Sequence, residues 1–142
     1  MKVRDIMTKD VATLNSTDSV ERAAQLMNEH NVGSIPVCDG EKCIGIITDR
    51  DIALRSVAQG GNTHSQTVRD IMSSNPVVGN LDMDIHDAAR IMSERQIRRL
   101  PIVENGNIVG IVALGDLAVE TKLVDDAGNA LSSISEPSSP NI

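Results

Sequence analysis

The sequence repeats itself at a fixed offset without a gap, and this repeat constrains the fold more than any other feature. Val3-Arg4-Asp5-Ile6-Met7 recurs unchanged as Val68-Arg69-Asp70-Ile71-Met72, an offset of 65 residues (68 minus 3). The same offset relates Ile35-Pro36-Val37 to Leu100-Pro101-Ile102. A register kept over roughly fifty residues indicates duplication, and two copies favour a closed pair over a solenoid, which needs three or more.

Each copy has the pattern helix, strand, strand, helix, preceded by a short helical turn. Val20, Ala23, Ala24 and Met27 predict one apolar helix face in copy one, and copy two repeats it at Ile85, Ala88, Ala89 and Met92. Asp18, with Glu21 three residues later, predicts the cap at the start of the first of these helices. Asp39-Gly40 and Asn105-Gly106 each separate two apolar runs and predict a hairpin in each copy.

These patterns predict a mixed α/β fold with defined segment boundaries. Copy one spans residues 1–58 and copy two spans 67–124. Residues 59–66 are polar and glycine-containing, which is typical of a linker. Residues 125–142 lose the apolar periodicity and end in a Ser- and Pro-rich stretch, which predicts a flexible tail that is mobile or loosely docked.

The composition excludes some classes of function. The chain of 142 residues contains no Phe, Tyr or Trp and has a net charge of -7. Binding of DNA or RNA needs basic patches and usually stacking side chains, so nucleic acid is not the expected partner. No apolar run approaches the roughly 20 residues that span a bilayer, and no secretion signal is evident. A cytoplasmic protein without a membrane partner is therefore expected.

The two cysteines, Cys38 and Cys43, flank the predicted turn of the first hairpin. A cytoplasmic setting favours free thiols. Their position across a hairpin leaves a disulfide, and with it redox sensing, as an alternative. No His or further Cys stands at the spacing of a zinc site, so no metal is expected.

The repeated motifs resemble those of a known family, the tandem cystathionine-β-synthase-type (CBS) domain pair, or Bateman module. The resemblance covers about residues 1–124 and is closest to small stand-alone pairs of bacteria and archaea. Asp5-Ile6-Met7, Ile35-Pro36-Val37 and Gly45-Ile46-Ile47-Thr48-Asp49-Arg50-Asp51 carry it. It implies two β-α-β-β-α units packed about a pseudo-twofold axis. It also implies clefts that in many members bind AMP, ADP, ATP or S-adenosylmethionine, and assembly into homodimers.

Thr48 and Asp51 form the first candidate site, where a strand becomes a helix. A helix N-terminus favours a phosphate, a hydroxyl can add a hydrogen bond to it, and a carboxylate can accept from ribose hydroxyls. The resemblance assigns the phosphate to Thr48 and the ribose to Asp51. The same spacing is also that of a helix-capping box, which is the structural alternative. Copy two keeps the carboxylate as Asp116 but has Ala113 in place of the hydroxyl, so weaker phosphate binding is expected there.

The resemblance extends the candidate site to four further residues. Arg98 and Arg99 lie where related pairs often carry basic side chains that reach a phosphate, and copy one has Gly33 and Ser34 there. Solvated surface arginines are the alternative. Ile35 and Pro36 are expected to line an apolar slot for adenine, although strand residues of this kind also serve as core.

The sequence contains no nucleophile elbow, phosphate-loop lysine motif or paired-carboxylate constellation, so catalysis is not expected. The leading hypothesis is a regulatory module that senses an adenine nucleotide, requires no cofactor and signals to an unknown partner protein. The alternatives are a ligand-free dimeric scaffold and, third, a cysteine-based redox sensor.

Overall fold

A computed structural model of the chain describes residues 1–118 and 124–135, and it confirms the mixed α/β fold. The elements in chain order are α1 (Val3–Ile6), β1 (Leu14–Asn15), α2 (Val20–His30), β2 (Ser34–Asp39), β3 (Lys42–Thr48), α3 (Asp49–Asp51), a π-helical segment (Ile52–Val57), α4 (Val68–Ile71), β4 (Ser73–Ser74), α5 (Ile85–Arg95), β5 (Arg99–Glu104), β6 (Asn107–Ala113), α6 (Leu114–Ala118) and α7 (Val124–Ile134).

The offset of the sequence repeat recurs in the backbone. The helices α2 and α5, the strands β2 and β5, and the strands β3 and β6 begin and end at positions related by that one offset. Leu14 pairs in parallel with Val37, and Gly79 forms the matching parallel bridge with Ile102. Each copy therefore has the β-α-β-β-α order that the resemblance implied.

The chain divides into two compact units whose boundaries differ from those of the sequence repeats. The first unit consists of residues 10–77 and 105–108, and the second of 1–9, 78–104 and the described part of 109–142. The leading turn of each copy thus belongs to the unit built mainly from the other copy. In the second unit the Val3 N–H donates to the Met83 carbonyl, and in the first the Val68 N–H donates to that of Asp18.

The first unit has a sheet in which β2 and β3 form an antiparallel hairpin. The strand β1 runs parallel to β2, and β4 pairs antiparallel with β3. One face of α2 buries Val20, Ala23 and Met27 as predicted, but Ala24 is exposed and Leu26 is buried in its place. The core is completed by residues from the strands and from α4: Leu14, Ile35, Val37, Ile47, Val68 and Ile71.

The cap of α2 differs from the prediction. The hydroxyl of Ser19, not the carboxylate of Asp18, accepts from the N–H of Arg22, at 3.0 Å. The Asp18 carboxylate instead accepts from the N–H of Asn15 at 2.9 Å and closes the turn before the helix. Ser19 lies one residue nearer the helix, so its hydroxyl meets the first unpaired N–H groups. Asp84, the aligned residue, caps α5.

The second unit contains α7, a helix where the sequence predicts a flexible tail. Helix α7 packs against α5 and α6, and it buries Ala127 and Ala130. His86 pairs with Asp126, and the Gln96 side chain donates to the Ser133 carbonyl at 2.9 Å. Packing and these polar contacts stabilise a helix that contains Gly128 and two serines, which are weaker helix formers than alanine. Residues 136–142 of the predicted tail lie outside the described residues.

Other segments also differ from their predicted bounds. The helix predicted from Asp51 to Ala58 begins at Asp49 and continues as the π-helical segment, while the one predicted at 116–122 is described only as α6. The predicted linker, residues 59–66, is part of the first unit. Its Gly61 N–H donates a hydrogen bond to the Ser56 carbonyl at 2.8 Å. Within the described ranges, no helix combines the length and the apolar character needed to cross a membrane.

Substitution Gly45→Ala tests how closely the leading turn approaches β3. An added Cβ would lie 2.6 Å from the Met72 sulfur and 2.8 Å from the Ser73 carbonyl oxygen. The Ser73 oxygen belongs to the backbone, so moving it away would cost free energy. We expect a loss of about 1–3 kcal/mol in the free energy of unfolding, the usual cost of overpacking. Chemical denaturation followed by circular dichroism measures it.

Gly128→Ala is the control for this substitution. No atom lies within 4 Å of its added Cβ, and Gly128 lies inside α7. Alanine should raise stability by up to about 1 kcal/mol because it is the better helix former. Equal effects of the two substitutions would contradict the packing described for Gly45.

Candidate functional site

Thr48 and Asp51 form a reciprocal capping box at the end of β3. The Asp51 N–H donates to Thr48 Oγ1 at 3.0 Å, and the Thr48 N–H donates to Asp51 Oδ2 at 3.0 Å. Thr48 has an extended backbone and so marks the start of α3. The structural alternative considered for these residues is therefore realised.

The capping box leaves part of both side chains available to a ligand. A hydroxyl has one donor proton and two acceptor lone pairs, and the cap uses only acceptance by Thr48 Oγ1. Asp51 uses Oδ2 in the cap, while Oδ1 lies 3.7 Å from Arg55 Nε. One donor proton and one carboxylate oxygen remain, so capping and ligand binding are chemically compatible.

The backbone N–H groups at the start of α3 do not fit the anion site expected from the sequence. The Asp49 N–H donates to the Gly33 carbonyl at 2.9 Å, and the Arg50 N–H donates to Asp49 Oδ1 at 2.9 Å. The Asp51 N–H is used in the cap. The first three N–H groups of the helix are thus paired, and a phosphate would have to displace these partners or rely on side chains.

Gly33 and Arg55 are two residues at this site that sequence reasoning missed. A Cβ at Gly33 would lie 3.1 Å from Asp49 Oδ2, so a small residue keeps the Asp49 carboxylate in place. Arg55 lies one turn after Asp51, and its Nη1 donates to the Ile71 carbonyl of α4 at 3.2 Å. The i,i+4 spacing of Asp51 and Arg55 was the available signal for this contact.

The second copy has half of the same capping box. The Ala113 N–H donates to Asp116 Oδ2 at 2.8 Å, and the Leu114 N–H donates to the Arg98 carbonyl at 2.9 Å. These bonds match Thr48 to Asp51 and Asp49 to Gly33 in the first copy. The missing part is the hydroxyl, since Ala113 has none.

The other predicted site residues fall into two groups. Ile35 is 1% exposed within the core of the first unit, which is the structural role, and Pro36 is also buried there. Arg98 and Arg99 lie in the second unit, exposed and half-buried respectively, at the start of β5. Among the residues that the structure describes, neither guanidinium forms an ion pair. Ligand contacts by these four residues and by Asp116 stay predictions.

No group of three or more His, Cys, Asp or Glu side chains that could hold a metal ion occurs in the described ranges. The buried side-chain polar atoms of these ranges all have hydrogen-bond partners. The polar groups at the candidate site are the Thr48 hydroxyl, the Asp51 carboxylate and the Arg55 guanidinium.

Removing the hydroxyl at Thr48, or adding one at Ala113, tests the helix cap without any ligand. Thr48→Ala should lower the free energy of unfolding by about 1 kcal/mol, because one N–H of α3 loses its acceptor. Thr48→Ser should be close to wild type, and Ala113→Ser should raise stability because it completes the second box. Urea denaturation measures all three. A neutral Thr48→Ala would show that the hydroxyl does not cap the helix.

The family model for the CBS domain matches twice, at residues 3–57 and 68–120. The CBS domain-containing protein YhcV of Bacillus subtilis is 50% identical over 133 residues, which cover 94% of each chain.

Two solved structures are similar along most of the chain. Hypoxic Response Protein I, solved with two coordinated zinc ions, has a TM-score of 0.77 and 31% identity, over 83% of this chain and 97% of that one. The CBS domain pair of protein MJ0100, solved with 5′-methylthioadenosine and S-adenosylmethionine, has a TM-score of 0.73 and 32% identity, over 83% and 93%. With two matched copies and these relatives, the chain belongs to the CBS domain family and carries two CBS domains in tandem.

Proposed function

We propose that this chain is a regulatory module that binds an adenosine-containing ligand at Thr48 and Asp51. The observation that carries the proposal is the hydrogen-bonding capacity that the capping box leaves unused on both side chains. The Thr48 hydroxyl keeps a proton to donate, and Asp51 keeps Oδ1 to accept. A phosphate or another oxygen acceptor can accept a hydrogen bond from the Thr48 hydroxyl, and a ribose hydroxyl can donate one to Asp51 Oδ1.

The partial burial of Asp51 supports a ligand role in addition to the cap. Its side chain is 12% exposed, and Arg55 Nε lies 3.7 Å from Oδ1. A hydrogen bond to a charged group that is shielded from water stabilises a complex more than one at the open surface. Asp51 is therefore the residue through which we expect a ribose to be recognised.

The class of ligand rests on the comparison with MJ0100, a relative at 32% identity whose CBS pair was solved with two adenosine derivatives. AMP, ADP, ATP and S-adenosylmethionine all present the ribose diol. Arg98 and Arg99 stay proposed phosphate-binding residues, because a guanidinium group suits a phosphate. The second copy lacks the hydroxyl at Ala113, so we propose that the Thr48 site is the stronger one.

A regulatory role needs a change that a partner can detect. A ligand shifts a conformational equilibrium only when it binds the two states with different affinity. We propose that ligand binding alters the conformation or the homodimer packing of the module, and that a partner protein reads this change. No catalytic step is proposed.

Thermal unfolding with each of the four ligands tests the proposal. Ligand at a hundred times its Kd stabilises the folded state by about 2.7 kcal/mol, which corresponds to a rise of several degrees in Tm. Asp51→Ala should abolish this rise, and calorimetric titration should show the same loss of binding.

Asp70→Ala is the matched control, since Asp70 Oδ2 accepts from the Thr67 N–H at 3.0 Å in the same kind of cap. It removes a capping carboxylate of the same unit but should leave the ligand-induced rise unchanged. If no ligand binds at millimolar concentration, or if both variants respond equally, the proposal fails.

A ligand-free scaffold is the second candidate, and one observation favours it. The first three N–H groups of α3 already have partners, as they would in a helix that binds nothing. In that case Thr48 and Asp51 serve only as caps. The thermal test separates the two candidates, because a scaffold shows no shift with any of the four ligands.

We also propose that the π-helical segment supplies the homodimer interface. Leu54 and Val57, both in that segment, are 44% and 62% exposed. Val57→Glu should convert a dimer to a monomer in light scattering, because a charge at a buried apolar contact is costly. Leu131→Glu, at 48% exposure on α7, is the control and should remain dimeric. A dimeric Val57→Glu variant would exclude this interface.

A further inference from the structure

Cys38 and Cys43 face each other across the hairpin of the first unit. Residues Gly40 and Glu41 form its two-residue turn, Asp39 pairs with Lys42, and Cys38 pairs with Cys43 as the next cross-strand pair. A register irregularity follows, between Val37 and Cys38, where Ile44 is the extra residue of β3. Residues that are direct partners in an antiparallel ladder point their side chains to the same face of the sheet.

The backbone hydrogen bonds identify this pair as a non-hydrogen-bonded one. The Cys43 N–H donates outward to the Gly106 carbonyl at 3.0 Å, and the Cys38 carbonyl accepts from Ser16 on the opposite side at 3.3 Å. In such pairs the Cα atoms are about 4.5 Å apart and the side chains are at their closest. A disulfide spans Cα separations of about 4.4–6.8 Å, so the two thiols are within bonding reach without a change of strand pairing.

The two thiols have different environments. Cys38 is 3% exposed, and its pKa is raised because it donates a hydrogen bond to Cys43 and because it is buried. Cys43 is half-buried, and its pKa is lowered chiefly by that hydrogen bond from Cys38, against the opposing effect of burial. The more accessible sulfur is therefore also the one with the greater thiolate character, as in cysteines that react with oxidants.

We propose that Cys38 and Cys43 are a redox-active pair that forms a reversible intrachain disulfide with hydrogen peroxide. Cys43 attacks the peroxide as the nucleophile, the O–O bond breaks, and the products are a Cys43 sulfenic acid and water. Cys38 then attacks the Cys43 sulfur, the S–O bond breaks, and a second water leaves with the Cys38 proton. Two thiols and one peroxide thus give one disulfide and two waters, and a dithiol reductant reverses the reaction by exchange.

This site does not depend on the proposed ligand site. Both cysteines lie at the turn end of the hairpin, and Thr48 lies at the opposite end of β3. Asp39, beside Cys38, accepts from the Ser16 hydroxyl at 2.6 Å and from Arg69 at 2.8 Å. The disulfide would form next to the polar contacts that hold α4 in the first unit, which gives oxidation a local structural consequence to detect.

The experiment treats the reduced protein with hydrogen peroxide and maps the products by mass spectrometry. The intact mass should fall by two hydrogens. Lys42 lies between the two cysteines, so trypsin separates them into two peptides that only a disulfide can hold together. Recovery of this linked pair, and its loss after reduction, is the expected result. Higher acids of either cysteine, or disulfides between chains with no linked pair, would overturn the proposal.

Single substitutions test the order of the two steps. In Cys38→Ala the Cys43 sulfenic acid has no partner, so dimedone should label Cys43. In Cys43→Ala no sulfenic acid should form, and dimedone should not label Cys38. Circular dichroism confirms that each variant is folded. Equal labelling of both variants, or labelling of Cys38 alone, would contradict the assigned roles, and the mapping of the wild-type protein is independent of both variants.

Discussion

Each compact unit of this protein is completed by a short helical turn that the other half of the sequence supplies. The side chains of Val3 and Val68 are fully buried in these turns, and burial of one valine contributes about 1.5–3 kcal/mol. The two glycines of the aligned strands, Gly45 and Gly110, let the Met72 and Met7 side chains approach the backbone more closely than a Cβ would permit. Because these contacts join distant parts of the chain, neither copy of the repeat completes its own unit, and the two copies are expected to fold together.

The candidate site shows how one local motif can serve two purposes. The capping box of Thr48 and Asp51 fixes where β3 ends and α3 begins, and it uses one acceptor site of each side chain. Helix geometry thus holds both groups in a defined position, so a ligand would not have to order them. In the second copy, Asp116 still accepts the capping bond from the Ala113 N–H, but Ala113 has no hydroxyl that could donate to a ligand.

The first hairpin places Cys38 directly opposite Cys43 and close to it, and its sequence indicates this arrangement only in part. The two-residue turn sets the register that brings Cys38 opposite Cys43, and the outward backbone bonds make the pair a close one. Asn105-Gly106, the corresponding turn of the second copy, has positive φ at both residues, as the Asn-Gly signal predicted. Its flanking residues, Val103 and Ile108, replace the two cysteines, so the redox chemistry that we propose is confined to one copy.

The sequence by itself determined the duplication, the order of the elements, the two hairpins and the position of the capping motif, because these depend on spacing and on local backbone preferences. Tertiary structure decided the rest. The exchange of leading turns depends on contacts between residues far apart in the chain. Helix α7 is stabilised by packing on α5, and its Gly- and Ser-containing sequence does not predict this packing. Ala24 is exposed although the aligned Ala89 is buried, and within the second unit α7 packs against the helix that carries Ala89. The pairing of the α3 N–H groups likewise required coordinates, since Gly33 and Asp49 are brought together by the strand pairing of Ser34 with Thr48. Periodicity specifies which face of an element is apolar, but only the fold specifies what covers it.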